Sequence, residues 1–373
     1  MVTERTVAAN GIDLHLAEAG PEAGPAVVLL HGFPDSWKLW RHQVDALAGA
    51  GMRVLAPDLR GLGETTRPAE VEAYKLRTLV ADVVGLLDAV GVRRAAVVGH
   101  DWGAALAWRV AMFVPDRVDR LVAVSVGHPL AGVAAGLPQR RLSWYMLWFL
   151  FPGVAERILP ADDWAFFRRW AWDGAAPGQD PDLDRQVADL SRPGALEAGL
   201  NWYRANNNPA HFAATDPSRF DLPPVACPTM GVWSSLDFAL TEAQMTLSER
   251  WVTGPWRYER LDDVHHWVPV HAPDAHYRSE TFRDPHPGRD GVLAYTRGAY
   301  ATEAGQDPRF GTPVAAGAAA AVEWWTTTLE EGDPATLIGT SVLTFTSDGL
   351  VATARDYWFL EPGTHLPHDE WGR

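Results

Sequence analysis

The sequence predicts an α/β architecture: a mainly parallel, doubly wound sheet carrying a helical cap, followed by a C-terminal α+β module. Three observations carry this. Apolar, β-branched runs alternate with segments of helical spacing from Ala26 to Val124, the order that builds a parallel sheet with helices on both faces. From about Gly127 to Asp221 the alternation stops, and the chain becomes helical, broken by Pro and Gly, and dense in Trp, Phe and Arg. After Asp274 strands of alternating polarity take over. The expected division is therefore a core of residues 1–126 and 222–273, a cap of 127–221, and a separate module of 274–373.

Each element has a local reason. Thr6 to Leu16 reads as a hairpin, because Asn10-Gly11 supplies the positive φ of a type I′ turn between alternating segments. Ala26 to Leu30 is a continuous apolar run, the signature of a strand buried on both faces. A helix is expected around Trp40 to Leu47, a strand from Arg53, and a second helix from about Leu76 to Val90 with apolar residues three and four apart. Ala95 to Gly99 and Leu121 to Val124 are the next strands. The strand pattern returns at Thr229 to Trp233 and at Trp256 to Leu261. In the last hundred residues a helix is expected over Arg289 to Thr302. Strands should follow at Ala319–Thr328, Gly339–Phe345 and Leu350–Trp358, joined by turns at Glu331-Gly332-Asp333 and Ser347-Asp348-Gly349.

Composition narrows the function. The 373-residue chain carries a formal charge of −15 with no basic run, which argues against nucleic acid and anionic membrane as partners. A single cysteine, Cys227, excludes a disulfide framework. There is no basic-then-apolar leader pattern and no apolar run of spanning length, so a cytoplasmic protein is expected. No histidine pairs with Cys or carboxylate at ligand spacing, so neither metal nor cofactor is expected.

The chemistry centres on Gly99-His100-Asp101-Trp102-Gly103-Ala104, where a strand ends and a helix begins at once. In a G-x-S-x-G elbow the glycines let strand and helix approach while the central side chain stands over the sheet edge. Here that residue is Asp101. A carboxylate is already ionised at neutral pH and attacks an sp3 carbon directly, leaving an ester that water must then hydrolyse, so a base is needed in the second step. A helix N-cap would also place an Asp here. Asp237 and His266 each follow a strand, giving the chain order nucleophile, acid, histidine. Asp237 also has the surroundings of a turn residue, and His265 is the alternative histidine.

With these residues in place the first part of the chain, to about residue 270, resembles the epoxide hydrolase branch of the α/β-hydrolase superfamily, close to the haloalkane dehalogenases. The matching motifs are His31-Gly32-Phe33-Pro34, the elbow, Gly231-Val232-Trp233 to Asp237, and His266-Trp267. The resemblance implies that backbone N–H groups of Phe33 and Trp102 form the oxyanion hole. It further implies that two cap tyrosines, Tyr145 in Leu142–Glu156 and Tyr203 in Leu200–Ala205, donate to the epoxide oxygen. Trp102, Trp144, Trp202 and Trp267 are the expected substrate-binding aromatics. A hydrophobic epoxide and water would give a vicinal diol. The alternatives are a haloalkane dehalogenase with the same nucleophile, in which the tyrosines would only pack the lid, and, more distantly, a non-catalytic receptor for a small ligand.

The tail resembles the later part of a SnoaL-like or nuclear-transport-factor-2-like cone through Tyr277-Arg278-Ser279, Asp284 to Gly288 and Arg355-Asp356-Tyr357-Trp358. Against that resemblance its N-terminal helices are expected to be missing, as though the two modules were joined at Ala272-Pro273-Asp274. Limonene-type epoxide hydrolases share the cone and use an Asp-Arg-Asp set. Asp356 matches one aspartate, but Glu323-Trp324-Trp325-Thr326 stands where the Arg-x-Asp pair belongs, which argues against a second active site. The preferred reading of the tail is a module for dimerisation, giving a homodimer, or for small-ligand binding.

Overall fold

The computed structural model describes residues 2–172, 177–178, 180–212, 214, 216–267, 276–278, 286–287, 309–310, 314–316, 319–330, 333–345 and 351–365. By internal contacts the chain divides into two units, 1–269 and 270–373.

The first unit is built on an eight-stranded sheet. The strands β1 (Thr3–Ala9) and β2 (Ile12–Ala19) form the expected hairpin, with both Asn10 and Gly11 at positive φ. Then come β3 (Ala26–Leu30), helix α1 (Arg41–Gly49), β4 (Arg53–Pro57), α2 (Leu76–Ala89), β5 (Ala95–His100), α3 (Trp102–Phe113) and β6 (Val118–Val124). Eight helices follow before the sheet resumes. They are α4 (Pro129–Ala134), α5 (Gly136–Leu142), α6 (Trp144–Trp148), α7 (Ala155–Ile158), α8 (Ala161–Ala171), α9 (Pro181–Leu190), α10 (Ala195–Asn206) and α11 (Pro209–Phe212). The remaining elements are β7 (Thr229–Leu236), α12 (Glu242–Thr246) and β8 (Trp256–His265). The strand order is β1-β2-β4-β3-β5-β6-β7-β8, with β1, β2 and β4 antiparallel to their neighbours in turn and every pair from β4 through β8 parallel.

Hydrophobic spacing explains where these elements sit. In β3 Val27 to Leu30 are all buried, as a strand covered on both faces requires. In α2 Leu79, Val83, Leu86 and Leu87 are buried, one stripe of an amphipathic helix. Helix α3 is sheathed almost all round, with Trp108 fully buried.

Ion pairs and hydrogen bonds fasten the helical insertion to the sheet domain. Asp35, 2% exposed, accepts from Arg185 Nη1 at 2.7 Å and from Gln186 Nε2 at 2.8 Å, both on α9. Arg41 makes a bidentate pair with Asp182 at 3.0 and 2.9 Å. Asn206, at the end of α10, donates to the Tyr74 carbonyl and accepts from the Leu76 N–H. Trp202 is fully buried and donates its indole N–H to the Arg60 carbonyl at 2.9 Å.

The second unit is a sheet of β9 (His276–Arg278), β10 (His286–Pro287), β11 (Arg309–Phe310), β12 (Val314–Ala316), β13 (Ala319–Glu330), β14 (Asp333–Phe345) and β15 (Val351–Pro362). The expected meander is present and longer than its sequence pattern suggested: β13 pairs antiparallel with β14 over twelve positions, and β14 antiparallel with β15. Strand β15 also pairs in parallel with β9. The helix expected over 289–302, the junction at 272–274, the turn at 347–349, and residues 331–332 of the other turn lie outside the described residues.

Candidate active site

Asp101, Asp237 and His266 are each the first residue after a parallel strand, β5, β7 and β8 respectively. All three therefore emerge at the carboxyl edge of one sheet, which is how side chains 165 positions apart in sequence meet. Asp101 has φ 53° and ψ −123°, a strained conformation for a residue with a Cβ and the hallmark of a nucleophile elbow. The elbow is tight enough to demand its glycines. A Cβ at Gly103 would lie 2.0 Å from the Leu30 carbonyl oxygen, and one at Gly99 would lie 2.2 Å from that of Gly103.

The two oxygens of Asp101 have different surroundings. Oδ1 accepts the backbone N–H of Phe33 at 2.9 Å, and the Trp102 N–H also hydrogen-bonds the carboxylate. Oδ2 lies 3.8 Å from His266 Nε2. On the other side of the ring His266 Nδ1 donates to Asp237 Oδ2 at 2.8 Å, which fixes the tautomer and leaves Nε2 toward Asp101. Asp237 Oδ1 is held by the N–H groups of Ala239 and Leu240 at 2.9 and 3.0 Å, so one carboxylate closes a turn and contacts His266 at once. Of the two histidines His266 joins the set and is 2% exposed; His265 is the last residue of β8.

Second-layer histidines complete the frame. His31 donates from Nδ1 to the Gly32 carbonyl and accepts from the Leu59 N–H at Nε2, holding the turn that presents Phe33. His100 donates from Nε2 to the His266 carbonyl at 2.8 Å; burial, then the neighbouring His266 charge, push it down to about 3, so it stays neutral.

Burial raises the Asp101 carboxyl above its ordinary value against the pull of His266 and of the two backbone N–H groups. Burial works against a charged His266 too, but the Asp237 charge and hydrogen bond, with the Asp101 charge, outweigh it and raise the imidazole. Tyr145 and Tyr203 are 8% and 3% exposed, with ring centroids 6.1 Å apart. Burial first, then nearby negative charge including that of Asp101, raises both phenols, so they stay protonated donors.

Asp101, His266, Tyr145 and Tyr203 line one small cavity, together with Phe33, Pro34, Phe167, Trp170, Phe238 and Trp267 among others. The expected aromatics divide. Trp267 lines the cavity, and its indole N–H is committed to the Ala171 carbonyl at 2.9 Å. Trp102, expected among the substrate-binding aromatics, does not line it and packs edge-on against Tyr203 at 5.1 Å. Trp144 and Trp202 do not line the cavity: Trp144 is 46% exposed and stacks on Trp148, whereas Trp202 is buried against Arg60 and Trp102. Adjacent helical residues point about 100° apart, so Trp144 and Trp202 cannot share the direction of Tyr145 and Tyr203. Phe167, Trp170 and Ala171 of α8, which the sequence reading did not single out, occupy one face at helical spacing instead.

A carboxylate at a nucleophile elbow, a His–Asp pair beside it and two buried phenols in its cavity define an enzyme of the α/β-hydrolase class. Residues 25–273 match the alpha/beta hydrolase fold family, and residues 250–354 match a SnoaL-like domain. The chain is 35% identical to epoxide hydrolase A of Mycobacterium tuberculosis over 73% of its own length and 94% of that protein's. It is 33% identical to an epoxide hydrolase of Caballeronia sordidicola over 72% and 89%. Among solved structures, epoxide hydrolase A from Mycobacterium thermoresistibile superposes with a TM-score of 0.61 at 32% identity, covering 72% of this chain and 93% of that one. The chain belongs to the α/β-hydrolase fold family and, within it, to the epoxide hydrolases.

Proposed function

We propose that the protein opens a hydrophobic epoxide to a vicinal diol through an ester on Asp101. The observation that carries this is the split environment of the carboxylate, Oδ1 in the amide cradle and Oδ2 toward His266. Oδ2 attacks an epoxide carbon and the C–O bond breaks toward the ring oxygen. That oxygen takes a proton from the phenol pair Tyr145 and Tyr203. Oδ1 is then the ester carbonyl, already facing the N–H groups of Phe33 and Trp102. His266, oriented by Asp237, removes a proton from water, and the hydroxide adds to the carbonyl carbon. The tetrahedral oxyanion sits in the same cradle and collapses, expelling the diol, which takes the proton back from His266, while the proton left on the regenerated Asp101 carboxyl passes to the phenolate and restores both groups. Esterification removes the Asp101 charge that helps keep His266 protonated, so the base is freed at the step that needs it.

The dehalogenase alternative requires free indole N–H groups for halide. Those of Trp202 and Trp267 are taken up by the Arg60 and Ala171 carbonyls, which favours the phenol reading. The test is the intact mass of His266→Gln after exposure to styrene oxide and, separately, to a bromoalkane. A gain equal to the whole epoxide, absent when Asp101 is also replaced by Ala, supports ring opening. A gain with the bromoalkane alone, equal to its alkyl group, makes the protein a dehalogenase.

Residues 1–126 and 222–273 serve as the catalytic core, 127–221 as the cap, and 274–373 as a SnoaL-like module. The strand–helix alternation, the helical run between β6 and β7, and the SnoaL-like match support this division. The module acts as a dimerisation surface, and the protein works in the cytoplasm; the long antiparallel strands and the acidic, cysteine-poor composition are the respective supports. Light scattering on the full chain that finds a monomer at every concentration would remove the dimer.

A further inference from the structure

A second, larger cleft lies beside the helix that carries Tyr145, lined by α5, α6 and the segment following β6. No acidic residue lines it among the described residues, although the whole chain is at −15. Its charged lining is wholly cationic, and the rest of its polar lining is imidazole, amide and hydroxyl side chains. Arg109 and Arg140 both face it, and neither forms an ion pair among the described residues. Arg140 Nη2 reaches only the Ala214 carbonyl at 2.7 Å, its guanidinium lies 5.5 Å from the centre of the Phe212 ring, and its Nε is buried without a partner. Burial lowers both guanidinium groups, as expected of cations short of counter-charge.

His128 supplies the independent sign. It is fully buried, its Nδ1 accepts the Leu130 N–H at 3.2 Å, and its ring is held neutral at about 3 by burial and by the Arg109 charge. The single ring proton is therefore on Nε2, which has no partner. Asn207 Nδ2, in the same lining, is also buried and unsatisfied. Buried donors left unpaired cost free energy unless something accepts from them. The two glutamines of the lining cannot supply that acceptor, because Gln139 is taken up by Ser143, Ala239 and Thr241, and Gln244 by Gly127 and Ser125. Much of the remaining wall is apolar, including Val126, Val133, Met146, Leu147 and Leu222.

We propose that this cleft binds an organic carboxylate with a hydrocarbon body, its head held by Arg109, Arg140, His128 Nε2–H and Asn207, and its body along the apolar wall. The site is separate from the cavity at Asp101, and neither arginine belongs to the catalytic set. Its ligand would brace α5–α6, and so the position of Tyr145.

Isothermal titration of the full-length protein with octanoate, octan-1-ol and inorganic phosphate tests this. The expected result is one octanoate per chain, bound at least about tenfold more tightly than octan-1-ol or phosphate, since a charge-assisted bond at a buried site carries that much. Arg109→Met, which breaks no hydrogen bond among the described residues, and Arg140→Met should each weaken octanoate about tenfold or more while octan-1-ol binding and epoxide turnover stay unchanged. No octanoate binding, octanoate held equally by both variants, or phosphate bound as tightly as octanoate would each overturn the proposal. Comparing octanoate with octan-1-ol on the unsubstituted protein keeps the test decisive even where a variant folds poorly.

Discussion

Replacing Asp237 with Asn separates the two chemical steps. The carboxylate accepts from His266 Nδ1 at 2.8 Å and from two backbone N–H groups through its other oxygen. Asn fills the same volume and can keep the backbone bonds, so the turn should survive while the charge is lost. A hydrogen bond to a charged group is worth about 1.5–3 kcal/mol, which corresponds to a slowing of about 10- to 150-fold. The loss grows where the imidazole also takes the wrong tautomer. It should fall on hydrolysis of the ester and spare its formation, because Asp101 attacks without a base. Rapid quench with intact-mass detection on styrene oxide should show the adduct forming at the unsubstituted rate and then persisting. If formation slows as much as breakdown, or if breakdown is unchanged, the assignment of Asp237 as orienter of a second-step base is wrong.

Tyr145→Phe and Tyr203→Phe should each lower kcat/KM for an epoxide by about 10- to 150-fold, the worth of one hydrogen bond to a developing alkoxide, and should lower the rate of adduct formation in the His266→Gln background. In Asp101→Asn the His266 imidazole should titrate lower than in the unsubstituted protein, because the Asp101 charge helps to raise it; a rise in an NMR titration would contradict the electrostatics. Since burial raises Asp101 itself, kcat/KM should fall as the pH drops through a value above the ordinary carboxylate range, and the buried phenols should keep their protons well into alkaline solution. Gly103→Ala places a Cβ 2.0 Å from the Leu30 carbonyl and 2.4 Å from that of His31, so it should lower thermal stability by about 3 kcal/mol or more, read as a fall in Tm.

The strand that places Asp101 was legible because a buried parallel strand leaves a continuous apolar run, and those ahead of Asp237 and His266 because apolar β-formers such as Val232, Trp233, Trp256 and Tyr258 recur in them. Oxygen-level roles at Asp101 were not legible, since they depend on where the Phe33 amide arrives from another strand. The cavity aromatics were half legible. Two tyrosines signal a direction on their helices, but a tryptophan beside each looks equally functional until the helical phase is known, and Trp144 and Trp202 prove to face elsewhere. Nor did sequence pattern reveal the start of α8, where Asp162, Asp163 and Trp164 take left-handed backbone angles that L-residues seldom adopt. The cleft at His128 was invisible too, because its members are scattered from Arg109 to Gln244 and only the folded chain collects them.

The hold of α9 on Asp35 has a mechanical consequence. Asp35 lies two residues beyond Phe33, whose amide cradles Asp101, and the Asp35 N–H closes the same turn onto the Gly32 carbonyl at 3.0 Å. The roof and the oxyanion cradle are thus parts of one lever. An epoxide too bulky for the cavity, wedging the helices upward, should drag on the turn and misalign the amide before any chemistry begins. Size discrimination then registers as slow turnover of substrates that still bind, and mutations that enlarge the cavity without touching Arg185 or Gln186 are the ones that widen the range of epoxides without loss of rate.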